Sequence, residues 1–165
     1  MQKLLAFIAN GFGLGRSPFA PGTVGCLLGL PIVWFINTRW GVPGQVAAAA
    51  VQILIAIPIC QAAENEIKSK DPKGCVADEY LTFSLCMIGL PVTGVEGALM
   101  MAFSFCTCRF FDIAKFWPAD GLQRLKGGLG IVIDDVFAML YALAANHLAW
   151  FLLRRTGWLE KFQPL

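Results

Sequence analysis

Apolar and polar positions fall in long blocks along this chain. Apolar runs occupy residues 24–36, 46–60, 80–90, 98–108 and 131–153, and polar segments at 10–23, 61–79 and 109–130 separate them. Blocks of this kind predict membrane-type helices. Crossing a bilayer takes about 20 apolar residues. Only the last run reaches that length. The first is interrupted by Gly29 and Pro31, and the second carries Pro58 near its end. Some of the shorter runs are expected to re-enter or lie buried against neighbours. The turn Gly89-Leu-Pro-Val-Thr-Gly predicts that residues 80–108 go out and back as a hairpin.

Composition agrees with a membrane protein. Hydrophobic residues make up 57 % of the chain and charged residues 15 %, against about 45–50 % and about 25 % in soluble domains. The mean hydropathy is +0.64. The 165 residues suit a single domain spanning 1–165. A net charge of +2 gives no reason to expect nucleic acid as a partner. Residues 1–10 have too short an apolar core for a secretion signal, and no small-x-small cleavage site follows, so they are expected to stay in the mature protein. The six cysteines contain no CxxC pair and mostly sit in or beside apolar runs. There they behave as small hydrophobes, and neither a disulfide nor a zinc site is expected.

Placing the N-terminus in the cytoplasm gathers all three polar segments on one side. That side then holds Lys3, Arg16, Lys68, Lys70, Lys73, Arg109, Lys115, Arg124 and Lys126. The other holds Arg39, Arg154, Arg155 and Lys161. The bias follows the positive-inside rule, with Arg154-Arg155 against it. Every acid except Glu96 and Glu160 falls on the same cytoplasmic side.

Six acids lie in or beside apolar runs: Asp71, Asp78, Glu79, Asp112, Asp134 and Asp135. A carboxylate in a low-dielectric setting is costly unless it is paired or holds a cation. Asp134-Asp135 is the sharpest case, because it follows three apolar residues about one turn inside the last helix. Helix capping does not call for acids there. Asp78-Glu79 opens an apolar run, where the helix dipole favours one acid more readily than two. Asp71 before Pro72 reads as a turn former. Arg109, Asp112 and Lys115, spaced i, i+3, i+6, would share one helix face. They suit either a solvated ion-pair stripe or a metal ligand flanked by phosphate-binding cations. In Phe19-Ala-Pro-Gly-Thr-Val-Gly, Thr23 is the expected helix N-cap, and Gly22 and Gly25 permit close backbone approach. That helix start is either a plain cap or an anion site. Gly127, Gly128 and Gly130 predict a flexible loop before the last helix. His147, the only histidine, lies far from the acids and reads as structural.

Metal-binding acids beside cations at a membrane face suggest phosphoryl chemistry on a lipid headgroup. No Cys has an Arg six residues downstream, no Asp-x-Asp occurs, and His147 lacks a basic motif. Covalent routes therefore fit poorly, and metal-assisted hydrolysis remains. A different class, an ion- or proton-handling membrane protein, also uses intramembrane carboxylates. The glycine-rich segments and the neighbouring Arg109 and Lys115 argue against it.

At these residues the chain resembles the bacterial phosphatidylglycerophosphatase A family. The likeness runs through Gly11-Phe-Gly-Leu-Gly, Pro21-Gly-Thr-Val-Gly, Lys70-Asp-Pro, Val76-Ala-Asp-Glu, Arg109-Phe-Phe-Asp-Ile-Ala-Lys and Gly127-Gly-Leu-Gly-Ile-Val-Ile-Asp-Asp. The resemblance implies an all-α polytopic membrane fold around a central helix. It also implies a Mg2+-dependent enzyme of the bacterial inner membrane that converts phosphatidylglycerophosphate to phosphatidylglycerol and phosphate. By position it points to Thr23, Asp71, Asp78, Glu79, Arg109, Asp112, Lys115, Asp134 and Asp135. On that basis we expect Asp78, Glu79, Asp112, Asp134 and Asp135 to hold metal and water. Gly22, Thr23, Arg109 and Lys115 are expected to hold phosphate, Glu79 to act as general base, and Asp71 to stand behind them. The chain departs from the family pattern at Cys26, Ala77, Thr82, Phe116 and Met139.

Overall fold

The computed structural model describes residues 2–69, 72, 74–122 and 125–156, excluding the Asp120 side chain. Asp71, Lys70, Lys73, Arg124, Glu160 and Lys161 lie outside the described residues. The fold is all-α: α1 (Gln2–Ala9), α2 (Pro21–Arg39), α3 (Val42–Ile67), α4 (Ala77–Thr82), α5 (Gly94–Ala114), α6 (Ala119–Leu122) and α7 (Gly128–Arg155). Single 3-10 segments cover Gly11–Arg16 and Phe83–Met87.

Four helices, α2, α3, α5 and α7, are long and apolar enough to cross a membrane. Three of them extend well past the apolar runs, because flanking polar residues continue the helix. In α3 the helix carries on through Glu64 and Glu66. Many large apolar side chains point outward, including Leu54, Phe103, Leu148 and Phe151. In water such a surface would aggregate; in a bilayer it meets its own solvent.

α7 is the central helix. It packs against α3, α4, α5, α6 and the second 3-10 segment. Of its most apolar stretch 44 % is buried, against 22–33 % in the other three. Apolar burial gives little drive for helix association in lipid, so polar links matter more. Asn146 on α7 supplies one. Its Nδ2 donates to Cys86 O at 2.9 Å, and its Oδ1 accepts from Thr107 of α5 at 2.8 Å.

α4 and the 3-10 turn after it are too short to span. They fill the space between the long helices, with Phe83 and Met87 fully buried. The tip of this run meets the far end of the bundle, where Gly89 N donates to Gln45 Oε1 at 2.8 Å. The expected hairpin is therefore present, with one short, enclosed arm. His147 Nε2 lies 2.9 Å from Ile88 O at that same end, away from the acids.

Several local expectations need correction. α2 starts at Pro21, and its N-cap is Ala20 in a left-handed conformation, not Thr23. Proline has no N–H to lose at the first helical position, so it moves the start forward. α7 starts at Gly128, which puts Asp134 and Asp135 nearly two turns inside rather than one. The glycines before them do not form a flexible loop. Gly128 sits in the first turn of α7 against the α3 backbone, where a Cβ would overlap Ile57 O. Its N–H donates to Gln61 Oε1 at 3.0 Å. Lys115 is not on the α5 face; it is the left-handed residue that ends the helix.

Candidate active site

Eight of the expected residues line one cavity of about 350 Å3: Gly22, Asp78, Glu79, Arg109, Asp112, Lys115, Asp134 and Asp135. They come from the ends of four helices. α2 brings its N-terminus, α4 its acidic first turn, α5 its last two turns, and α7 its second turn.

Close approach of α2 and α4 is possible because α2 presents glycine. A Cβ on Gly22 would overlap the Glu79 carboxylate, and one on Gly25 would press into Val76 at 2.5 Å. The first helical hydrogen bond of α2 runs from Val24 N to Ala20 O at 3.2 Å. The Gly22 and Thr23 amides come before it and face the helix opening, where an anion is favoured. The Thr23 side chain is not part of the cavity wall.

Arg109 organises the near side. Its Nη1 lies 3.2 Å from Glu79 Oε1 and 2.9 Å from Asp112 Oδ2. Its Nε is buried with no hydrogen-bond partner among the described residues. The guanidinium therefore keeps donor capacity for a ligand oxygen. Cys26, one helical turn after Gly22, touches both members of the pair. Its Sγ is 3.8 Å from Glu79 Oε2 and 3.7 Å from Arg109 Nη1. Cys26 is absent from the residues expected at the site, although its i+4 spacing from Gly22 puts it on the same face of α2.

On the far side, Lys115 Nζ lies 2.7 Å from Asp134 Oδ2. The left-handed turn at Lys115 swings its side chain from α5 toward α7. Burial works against the Lys115 charge, but the Asp134 hydrogen bond and the surrounding carboxylates outweigh it and raise its pKa. Asp135 is buried and shares a hydrogen-bond contact with Asp112. No Lys or Arg ion pair reaches it among the described residues. Two carboxylates in contact need a proton or a cation between them.

Burial pushes the Glu79 carboxyl up, against the pull of Arg109, to about 7. A carboxyl near neutrality is suited to exchange a proton at working pH.

Arg109 thus holds Glu79 and Asp112, Lys115 holds Asp134, and Asp135 lies against Asp112. Among the described residues, the group of three metal-ligating atoms within 4.8 Å of one another is Cys60, Cys75 and Asp78. Sequence spacing gave no hint of this, because Cys60 is on α3 and Cys75 in the loop before α4.

The residues expected to depart from the family pattern make local packing or hydrogen-bond contacts. Thr82 Oγ1 caps Asp78 O at 2.6 Å. Ala77 and Met139 fill the core. The Phe116 ring packs on Phe111 and Tyr141.

Comparison with known proteins covers nearly the whole fold. The sequence matches the phosphatidylglycerophosphatase A family over residues 7–150. It is 32 % identical to phosphatidylglycerophosphatase A of Escherichia coli (strain K12) over 134 residues, covering 79 % of this chain and 74 % of that protein. It is 31 % identical to the Haemophilus influenzae protein of the same name, covering 82 % of each. A Bacteroides thetaiotaomicron protein provisionally named a phosphatidylinositol-3-phosphatase is 33 % identical over 150 residues, covering 84 % of this chain and 89 % of that protein. No solved structure matches at a significant level. Matched over residues 7–150 and about a third identical to two proteins of that name, this chain belongs to the phosphatidylglycerophosphatase A family.

Proposed function

We propose that this chain, acting as one membrane domain, hydrolyses the terminal phosphate monoester of phosphatidylglycerophosphate in a Mg2+-dependent reaction at the cytoplasmic face of a bacterial inner membrane. The observation that carries the reading is the shared cavity. It joins five carboxylates, two cations and a helix N-terminus at one end of an apolar bundle.

The donor set fits the metal. Mg2+ prefers carboxylate oxygen and keeps several waters. The Asp112–Asp135 contact is a place where a cation is wanted. Asp78, Asp112, Asp134 and Asp135, with Glu79 beside them, would hold the ion. Bound there, Mg2+ supplies Lewis-acid polarisation of phosphate oxygens and a more acidic water.

The chain's own groups account for the rest. Arg109 directs its spare donor toward a phosphate oxygen, and Lys115 adds positive charge opposite. The Gly22 and Thr23 amides offer further donors to an anion. These groups are fixed before charge builds up in the transition state, which is where such stabilisation counts most. Glu79, with a pKa near neutrality, accepts the proton of the attacking water. The water oxygen bonds to phosphorus as the phosphorus–oxygen ester bond breaks, and the glycerol oxygen leaves with the proton that Glu79 accepted. The apolar helix surfaces keep the acyl chains in the bilayer while the headgroup enters the cavity.

The Bacteroides relative's name supports a second substrate of the same chemistry, a phosphoinositide monophosphate. A panel of detergent-dispersed lipid monophosphates decides between them. The reading expects the fastest phosphate release from phosphatidylglycerophosphate. Faster release from phosphatidylinositol 3-phosphate would reassign the substrate while keeping the chemistry. Ion flux in liposomes with no phosphatase activity would overturn the function altogether.

A further inference from the structure

Cys60 and Cys75 are both buried, and their sulfurs lie 3.6 Å apart. Neither forms a disulfide. A disulfide bond is only about 2.05 Å long. By contrast, two thiolates on one tetrahedral zinc, each about 2.3 Å from the metal, stand roughly 3.8 Å apart. The observed separation is close to that of a tetrahedral edge. A carboxylate oxygen of Asp78 completes a group in which every pair of donor atoms lies within 4.8 Å.

The ordinary reading is two small thiols filling a core. Three facts go beyond it. The third member is a buried carboxylate, which a purely apolar core would not recruit. Cys75 and Asp78 both form part of the active-cavity wall, so an ion has a route inward. The donors also come from two separate elements, α3 and the α4 region, which an ion would tie together.

We propose that Cys60, Cys75 and Asp78 form a second cation site, selective for a thiophilic divalent ion such as Zn2+, whose occupation withdraws Asp78 from the Mg2+-dependent reaction. Two sulfurs and one oxygen suit zinc or cadmium, whereas Mg2+ favours oxygen alone. Three protein donors leave a fourth position open for water. Excess Mg2+ therefore does not compete for the thiols, and inhibition would persist in its presence. The inhibitory effect rests on the proposed role of Asp78 in hydrolysis; the binding does not.

The test uses the purified, reduced, full-length chain in detergent, titrated with Cd2+ at saturating Mg2+. Two signals are followed: the ultraviolet thiolate-to-cadmium charge-transfer band and phosphate release. The wild type is expected to show the band at one equivalent and to lose activity over the same range. Cys60→Ser and Cys60→Ala should keep Mg2+-dependent activity and lose the band. Their inhibitory Cd2+ concentration should rise about tenfold or more, the scale on which metal sites respond to losing support. No band in the wild type, or equal inhibition in both Cys60 variants, overturns the site. A band without inhibition overturns the coupling through Asp78, while Asp78→Asn assayed with Mg2+ and no Cd2+ tests the role of Asp78 in hydrolysis separately.

Discussion

Arg109 Nη1 and Glu79 Oε1 lie 3.2 Å apart, joining the end of α5 to the first turn of α4. The same nitrogen reaches Asp112. One guanidinium therefore fixes two carboxylates and still has a buried Nε with no hydrogen bond. Lysine has the charge but not the planar fork. Arg109→Lys is expected to lower kcat/KM for phosphate release by about 100-fold or more, the scale of losing a preorganised donor. Arg109→Ala leaves two partly buried acids unpaired, so it should also lower the melting temperature. Unchanged kinetics in Arg109→Lys would remove Arg109 from phosphate binding.

Gly22 is the point where α2 yields to Glu79. An added Cβ overlaps the Glu79 carboxylate. Gly22→Ala should fold and insert, because alanine favours helix. It should lose activity on the order of 100-fold, as small misplacements of reacting groups do. Shortening the acid in Gly22→Ala with Glu79→Asp should recover part of that loss relative to Glu79→Asp alone. Equal activity of Gly22→Ala and wild type would show that the close approach is not needed.

The chain announced its chemistry more clearly than its local geometry. Acids in apolar surroundings stood out because burying charge is costly, and all the described ones meet in one cavity. The hairpin was legible from Gly89-Leu-Pro-Val-Thr-Gly, but run lengths marked only the last helix as a full span, whereas flanking polar residues lengthen three more helices to spanning length. What escaped depended on tertiary placement. Thr23 looked like a cap, but Pro21 fixes an earlier start. Lys115 looked like a helix-face residue, yet a left-handed turn sends it to Asp134. Cys60 and Cys75 are 15 residues apart with no motif, and only the packing of α3 against the α4 region joins them.

In metal-free protein, Glu79 should shape the pH dependence of stability. Burial raises its pKa from 4.5 to about 7. A raised acid favours folding while it holds its proton. That contribution is complete below about 4.5, falls as the unfolded chain ionises first, and is gone once the pH passes about 7. In EDTA the melting temperature of the wild type relative to Glu79→Gln should therefore decline between those limits. A difference that rises with pH across that window would contradict the burial account.

Asn146 tests the fold apart from the chemistry. It links α7 to α5 and to the second 3-10 segment at the end remote from the acids. Asn146→Leu removes the donor to Cys86 O and leaves Thr107 with Ser104 O as its acceptor, and should cost roughly 1–2 kcal/mol. Activity of the folded fraction should be retained. A catalytic loss larger than the loss of folded protein would mean that the far end of α7 acts on the site.

Whether the carboxylates work through a divalent cation decides the mechanism. The most direct measurement is phosphate release from phosphatidylglycerophosphate by the purified protein, titrated with Mg2+ after EDTA treatment, alongside Asp135→Asn. Release should be absent in EDTA and recover with Mg2+, and Asp135→Asn should lose about 100-fold or more, a loss that added Mg2+ does not restore. Full activity in EDTA, or wild-type kinetics in Asp135→Asn, would contradict it.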